Sequence, residues 1–170
     1  VTAAHCLQRD LDSDPAQFIQ DYGIYLGEGE DGGMVVPQYK IKRGVYTFCM
    51  CPGGEVINAS SENGLLVVNG MSYSRRSSAF SNSAVVVTCH TDDYGSADPL
   101  AGIEFQKDIE RKAFKAGGGR WEVPAQNLVD FLSGRISESL NSNSYKMGAV
   151  AADLNEIFPQ FVLGSLLTAF

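Results

Sequence analysis

Extended and helical patterning occupy separate stretches of this chain, and that separation limits the folds open to it. Between residues 45 and 90 several short segments are dense in β-branched and aromatic side chains; from residue 98 onward apolar residues return at helical spacing. Strands followed by helices indicate an α+β fold, with a β-barrel-like or meander sheet leading into a helical subdomain. The strands are expected at 45–51, 55–59, 65–69 and 84–90. Val85, Val86 and Val87 in a row predict burial on both faces of the last one. Cys51-Pro52-Gly53-Gly54 separates the first two. Proline second and glycine third is type II turn chemistry, because glycine takes the positive φ that other residues resist.

The helical part opens at Asp98-Pro99, and its first helix is expected to run to Lys115 and stop at Gly117-Gly118-Gly119. At 100° per residue it has two apolar sides, Leu100, Ile103 and Phe114 on one and Phe105, Ile109 and Ala113 on the other. Such a helix normally lies between two layers. A second helix is expected over 124–132, ending near Gly134. Asp153 reads as a cap, and a last helical run starts at Pro159, with Val162, Leu163, Leu166, Leu167 and Phe170 on one broad face. The first forty residues read as irregular, with a short helix at 14–22 behind Asp14 and Pro15 and an acidic, glycine-rich loop or hinge at 27–33. The expected organisation is an irregular lead-in at 1–42, a β-rich domain at 43–95 and a helical subdomain at 96–170.

Composition narrows the partners. A chain of 170 residues suits one domain, or one with a satellite. Its net charge of −7 argues against a nucleic-acid binder, which needs a basic face to displace counterions. No apolar run approaches the ~20 residues that span a bilayer, so a soluble protein is expected. Four cysteines, Cys6, Cys49, Cys51 and Cys89, are too few for a disulfide frame in a chain of this length and point to a reducing compartment. The first residue is Val and no leader is legible, so the chain reads as processed or as an excerpt.

Cys49-Met50-Cys51 is the most suggestive local pattern. On a regular strand both thiols would face one side and Met50 the other, with the two Cα atoms about 6.6–7 Å apart. That is the edge of disulfide geometry, which favours two free thiols, either functional or simply buried. Zinc would need two more ligands, and an adjacent Cys89-His90 pair on a strand would face opposite ways. Arg75-Arg76 lies in a hydroxyl-rich loop and is a candidate holder of phosphate or carboxylate, against the alternative of a solvated surface loop. Val1-Thr2-Ala3-Ala4-His5-Cys6 looks like the histidine motif of trypsin-like serine proteases, yet neither glycine string contains the serine that this mechanism requires. No Gly-x-Gly-x-x-Gly follows a strand, and there is no Walker-type loop, so the usual dinucleotide cradle is not encoded here.

Several segments, in order, carry a longer resemblance. They are residues 44–54 (Gly-Val-Tyr-Thr-Phe-Cys-Met-Cys-Pro-Gly-Gly), 69–78 (Asn-Gly-Met-Ser-Tyr-Ser-Arg-Arg-Ser-Ser) and 82–88 (Asn-Ser-Ala-Val-Val-Val-Thr). They continue with 100–106 (Leu-Ala-Gly-Ile-Glu-Phe-Gln), 123–126 (Val-Pro-Ala-Gln), 130–132 (Asp-Phe-Leu), 152–154 (Ala-Asp-Leu) and 156–159 (Glu-Ile-Phe-Pro). From about residue 38 onward the chain resembles the FAD-dependent, NAD(FAD)-utilizing dehydrogenases of bacteria and plastid-bearing eukaryotes, and is closest in wording to the plastid branch. The resemblance covers only the inserted region of such a two-domain flavoprotein, the part that folds over the flavin; residues 1–37 match poorly.

The resemblance implies hydride transfer through FAD in a parent enzyme, with NAD(P)H as the implied donor. The missing FAD-binding domain of the same polypeptide is then the partner, and the location is cytoplasm or plastid stroma. It also marks Cys49, Met50, Cys51, Pro52, Gly53 and Gly54 as the segment near the isoalloxazine; Arg75 and Arg76 join them as candidate cofactor contacts on the strength of their cationic, hydroxyl-rich loop. A small-residue turn there would admit close backbone approach. No catalytic group and no metal site are assigned, and the isolated chain is expected to be inactive. The other readings are a non-catalytic structural or interaction subunit of a larger assembly and, remotely, a serine protease fragment.

Overall fold

The computed structural model describes residues 43–170, without the Phe48 side chain, and the backbone of three short strands before them. The strands are β1 (Thr2–Leu7), β2 (Gly27–Glu28), β3 (Met34–Val35), β4 (Val45–Cys51), β5 (Gly54–Asn58), β6 (Val68–Ser72), β7 (Phe80–Val87), β8 (Val123–Ala125) and β9 (Ala149–Ala151). The helices are α1 (Ala101–Ala116), α2 (Leu128–Leu132) and α3 (Gln160–Ala169), with 3-10 turns at Thr91–Tyr94 and Leu154–Glu156. The expected α+β class is what forms: small, mainly antiparallel sheets accompany the helices, and no barrel closes among the described residues. Two compact units result, one from Val1–Ile57, Asn69–Thr88 and Gly164–Phe170, the other from Asn58–Val68 and Cys89–Leu163.

In the first unit β1, β7 and β4 form an antiparallel sheet with β7 in the centre. The N-terminal stretch read as irregular therefore contributes an edge strand. The expected strand over 84–90 begins earlier and ends at Val87. Burial also differs from the expectation for the valine run. Ser81, Asn82, Ser83 and Val85 are buried, while Val86 and Val87 are half-exposed. The ladder gives the reason: among the described residues β1 covers β7 from Phe80 to Val85, whereas Val86 and Val87 pair with Tyr46 and Val45 of β4.

Strand β4 matches its expected range, and β5 lies one residue earlier than read. The strand expected at 65–69 lies at β6 instead. In the glycine-rich segment Gly27–Glu28 pairs with Met34–Val35, so both ends of that loop are strand; residues 29–33 and the expected helix at 14–22 lie outside the described residues.

In the second unit Leu65 and Leu66 are buried without being strand, and the Leu66 N–H donates to the Glu110 carbonyl of α1 at 3.1 Å. Helix α1 starts two residues after Pro99, and the Asp98 carboxylate accepts the Leu100 N–H at 2.8 Å. It stops where expected, since Gly117 caps it and Gly118 and Gly119 take φ of 85° and 71°. One apolar side is covered: Phe105 lies 5.3 Å from Tyr94 and 6.2 Å from Phe161, ring centre to ring centre. The other side is divided. Phe114 meets Trp121 edge-on at 5.4 Å, but Leu100 and Ile103 are 62% and 50% exposed.

The helix expected over 124–132 is a strand and a shorter helix. Residues Val123, Pro124 and Ala125 pair in parallel with Ala149, Val150 and Ala151, and α2 begins only after Asn127. Pattern alone missed this because the partner strand is distant in sequence. Asp153 is a cap as read, accepting the Asn155 N–H at 2.9 Å, though of a 3-10 turn. Helix α3 follows Pro159 and buries Val162, Leu163 and Leu166, leaving Leu167 and Phe170 exposed. Among the described residues no helix is long and apolar enough to cross a membrane.

Candidate functional site

The first unit brings the two cofactor-site segments of the sequence together. Strand β4 carries Cys49, Met50 and Cys51 to the turn at Pro52-Gly53, and the 73–76 turn carrying Arg75 and Arg76 closes over it. The Ser72 hydroxyl donates to the Pro52 carbonyl at 2.8 Å, and the Ser78 N–H to the Gly53 carbonyl at 3.3 Å. Gly53 has a φ of +56°, as its turn position requires. A methyl group on it would run into the Arg76 backbone. The close approach that this glycine permits is thus made by the chain itself.

The cysteines do not sit as a regular strand would place them. Between Phe48, opposite Ala84, and Cys51, opposite Asn82, β4 has one residue more than β7, and Cys49 takes a φ of +49°. This is a β-bulge, which breaks the period-two argument for two thiols on one face. Cys49 and Met50 turn out to solvent, Cys51 is half-buried, and Cys49 and Cys51 stand as separate thiols. Burial raises the Cys51 thiol above its ordinary value, a Cys49 thiolate adds to that, and the Arg76 guanidinium opposes it. At neutral pH Cys51 is therefore a protonated thiol, a weak nucleophile.

Arg75 and Arg76 are both exposed on the same turn, where the Arg76 N–H donates to the Tyr73 carbonyl at 2.9 Å. Tyr73 and Met50 are exposed as well. The Cys89-His90 pair lies beyond the end of β7 and not on a strand. Both are exposed, and the His90 N–H opens the 3-10 turn by donating to Asp93 at 2.7 Å. Among the described residues no three His, Cys, Asp or Glu side chains gather as a metal site would need.

Asn82 is the residue that pattern reading passed over. It is 3% exposed, and neither Oδ1 nor Nδ2 has a hydrogen-bond partner among the described residues. Each such group costs about 1–3 kcal/mol relative to a satisfied one. A methyl group at Gly70 would overlap Oδ1, and one at Gly54 would lie 2.9 Å from Nδ2. Two neighbouring strands thus lack side chains where this carboxamide enters. The available signal was the Ser-Asn-Ser run that opens an otherwise valine-rich strand.

Residues 32–170 match the family described as "FAD-dependent protein, C-terminal domain-like". The chain is also similar to a protein of Clostridium beijerinckii that is described as uncharacterized, with 47% identity over 129 residues. That alignment takes in 75% of this chain and 24% of the relative, so the chain spans about a quarter of the relative's length. With the match running from β3 through the last helix, the chain belongs to the family of FAD-dependent protein C-terminal domains.

Proposed function

We propose that this chain is the flavin-covering, substrate-side region of an FAD-dependent oxidoreductase, set within a longer polypeptide whose remaining part holds the dinucleotide. The family match over residues 32–170 carries this reading. The lack of a phosphate-cradling glycine loop in the sequence supports the division of labour. So does the extent of the Clostridium relative beyond the aligned quarter.

The residues present fit a flavin in part. Two exposed guanidiniums offer donors to phosphate or to ring carbonyls. In this reading Cys49, Met50 and Cys51 line the ring, and Arg75 and Arg76 hold its polar edge or the substrate. Bound FAD supplies hydride chemistry, with NAD(P)H as the donor class. Cys51, held as a neutral thiol, excludes water and packs; it does not attack.

The test is absorbance. The purified full-length polypeptide is expected to absorb near about 450 nm with one flavin per chain, and the 170-residue chain alone to be colourless. A colourless full-length protein that cannot be reconstituted with FAD would overturn the proposal and leave a structural or interaction role. Stoichiometric FAD on the isolated chain would overturn the division between two domains.

A further inference from the structure

The bulge in β4 changes what its two thiols can do. Phe48 stands opposite Ala84 and Cys51 opposite Asn82, so three residue steps on β4 cover the length of two on β7. Two strand steps advance about 6.6–7 Å, which leaves each step through the bulge about 2.3 Å and Cys49 to Cys51 about 4.5 Å along the strand. That carries the pair from the edge of disulfide geometry into it. Cys49 is exposed and Cys51 half-buried, and the charges of Cys49 and Arg76 both reach the Cys51 thiol. Cys49 and Arg76 are also the two non-glycine residues with positive φ among the described residues, at +49° and +45°. Such backbone is costly and clusters at sites that use it.

We propose that Cys49 and Cys51 are a thiol–disulfide exchange pair, with Cys49 the entry thiol, Cys51 the resolving thiol and a small disulfide bearing carboxylates as oxidant. The Cys49 thiolate attacks one sulfur of the small disulfide, forming a mixed disulfide and expelling one small thiolate. Cys51 then gives up its proton and attacks the Cys49 sulfur, which closes the Cys49–Cys51 bond and expels the second small thiolate. The two protons that the cysteines lose end on the two small thiols. Exposure and charge set the order. With both thiols free, burial and then the Cys49 thiolate hold Cys51 protonated, so it does not start the exchange. A capped Cys49 carries no charge, and Arg76 is left to favour the Cys51 thiolate. Arg75 and Arg76, exposed on the turn closed over Pro52-Gly53, offer donors to the carboxylates of the incoming disulfide. None of these steps depends on a bound flavin.

The experiment incubates the full-length polypeptide with oxidised glutathione, quenches with acid, alkylates and digests with trypsin. Peptide 44–75 holds Cys49 and Cys51 and no other cysteine. In the wild type it is expected about 2 Da lighter than the dithiol, with neither glutathione nor alkyl group attached. Closure from the mixed disulfide should be at least about tenfold faster than in the same polypeptide unfolded in urea. Cys51→Ser should trap glutathione on Cys49, and Cys49→Ser should take it up at Cys51 at least about tenfold more slowly. Arg75→Ala should slow the first step with oxidised glutathione but not with cystamine, whose ends are ammonium groups. A wild-type peptide that keeps glutathione on Cys49 while Cys51 still alkylates would overturn the pair. So would closure no faster than in urea, because the bulge would then contribute nothing. Equal slowing with both oxidants would overturn the carboxylate assignment.

Discussion

Cys51 shows how far a single residue's surroundings can move its chemistry. Its thiol is raised by burial first and by a Cys49 thiolate second, with Arg76 pulling the other way. Alkylation follows the thiolate fraction, so Cys51 should react slowly with iodoacetamide at neutral pH and rise only above its ordinary value of 9.0. Arg76→Ala should push that midpoint higher and Cys49→Ala should bring it down, read by fragment-ion mass spectrometry that separates the two positions. A Cys51 that titrates below an unperturbed thiol would contradict the arrangement. The linkage sign follows: a folded value above the unfolded one favours the native state below pH 9.0, and that contribution is lost as pH rises through the folded value. Gly53 is constrained differently, by a positive φ and by the Arg76 backbone lying where a Cβ would go.

At the scale of elements, the segment after β8 is held by a polar hub more than by its short helix. The Asn127 N–H donates to the Ser137 hydroxyl at 2.8 Å, its Nδ2 to the Ser139 carbonyl at 2.8 Å, and its Oδ1 accepts the Asn141 N–H at 3.0 Å. Asp130 binds Ser137 at 2.9 Å and Arg135 at 3.1 Å, so one carboxylate closes the turn after α2. Nearby, Gln126 joins strand to strand end: its Oε1 accepts the Leu154 N–H at 3.2 Å and its Nε2 donates to the Arg135 carbonyl. The Val-Pro-Ala-Gln and Ala-Asp-Leu segments that carried the resemblance are those that interlock here, with the Ala152 N–H on the Ala125 carbonyl at 3.1 Å. Asn127→Ala removes three side-chain bonds, the third a long one from Nδ2 to Asp130 at 3.4 Å, and should lower stability by about 1–3 kcal/mol. Urea unfolding should show a lower midpoint with an unchanged slope. An unchanged midpoint would mean that water replaces the hub at no cost.

At the scale of the molecule, apolar surface stays exposed in two places. Leu100 and Ile103 at the start of α1 are more than half exposed on average, beside an open groove of about 620 Å³ lined in part by Tyr94, Asp98, Glu104 and Phe105. Leu128, Val129, Leu132 and Ile136 expose a second apolar stretch around α2. The isolated chain should therefore enhance the fluorescence of a hydrophobic dye such as ANS. The double change Leu100→Ser and Ile103→Ser should reduce that signal while shifting stability by no more than about 0.5 kcal/mol per site, as exposed positions do. A large loss of stability would instead mean that this side of α1 is packed in solution.

Local chemistry determined a good deal of this by itself. Strand β4, the Pro-Gly turn, the glycine stop of α1, the Asp153 cap and the strand-then-helix order all rest on neighbouring residues: β-branched runs, one fixed φ, one freed φ. The same turn was legible as a candidate site through a long resemblance, and Arg75 and Arg76 through a cationic, hydroxyl-rich loop suited to an anion. Tertiary structure decided the rest. Whether β7 buries its valines or its Ser-Asn-Ser start depends on how far β1 extends along it. Whether Val123-Pro124-Ala125 is strand or helix depends on a partner more than twenty residues on. Whether Cys49 and Cys51 share a face depends on one extra residue in a ladder. These are consequences of pairing between distant segments, and no local period records them. Asn82 is the sharpest case: in the sequence it is one more polar residue ahead of a strand, and only the fold closes it between two glycines with no partner among the described residues.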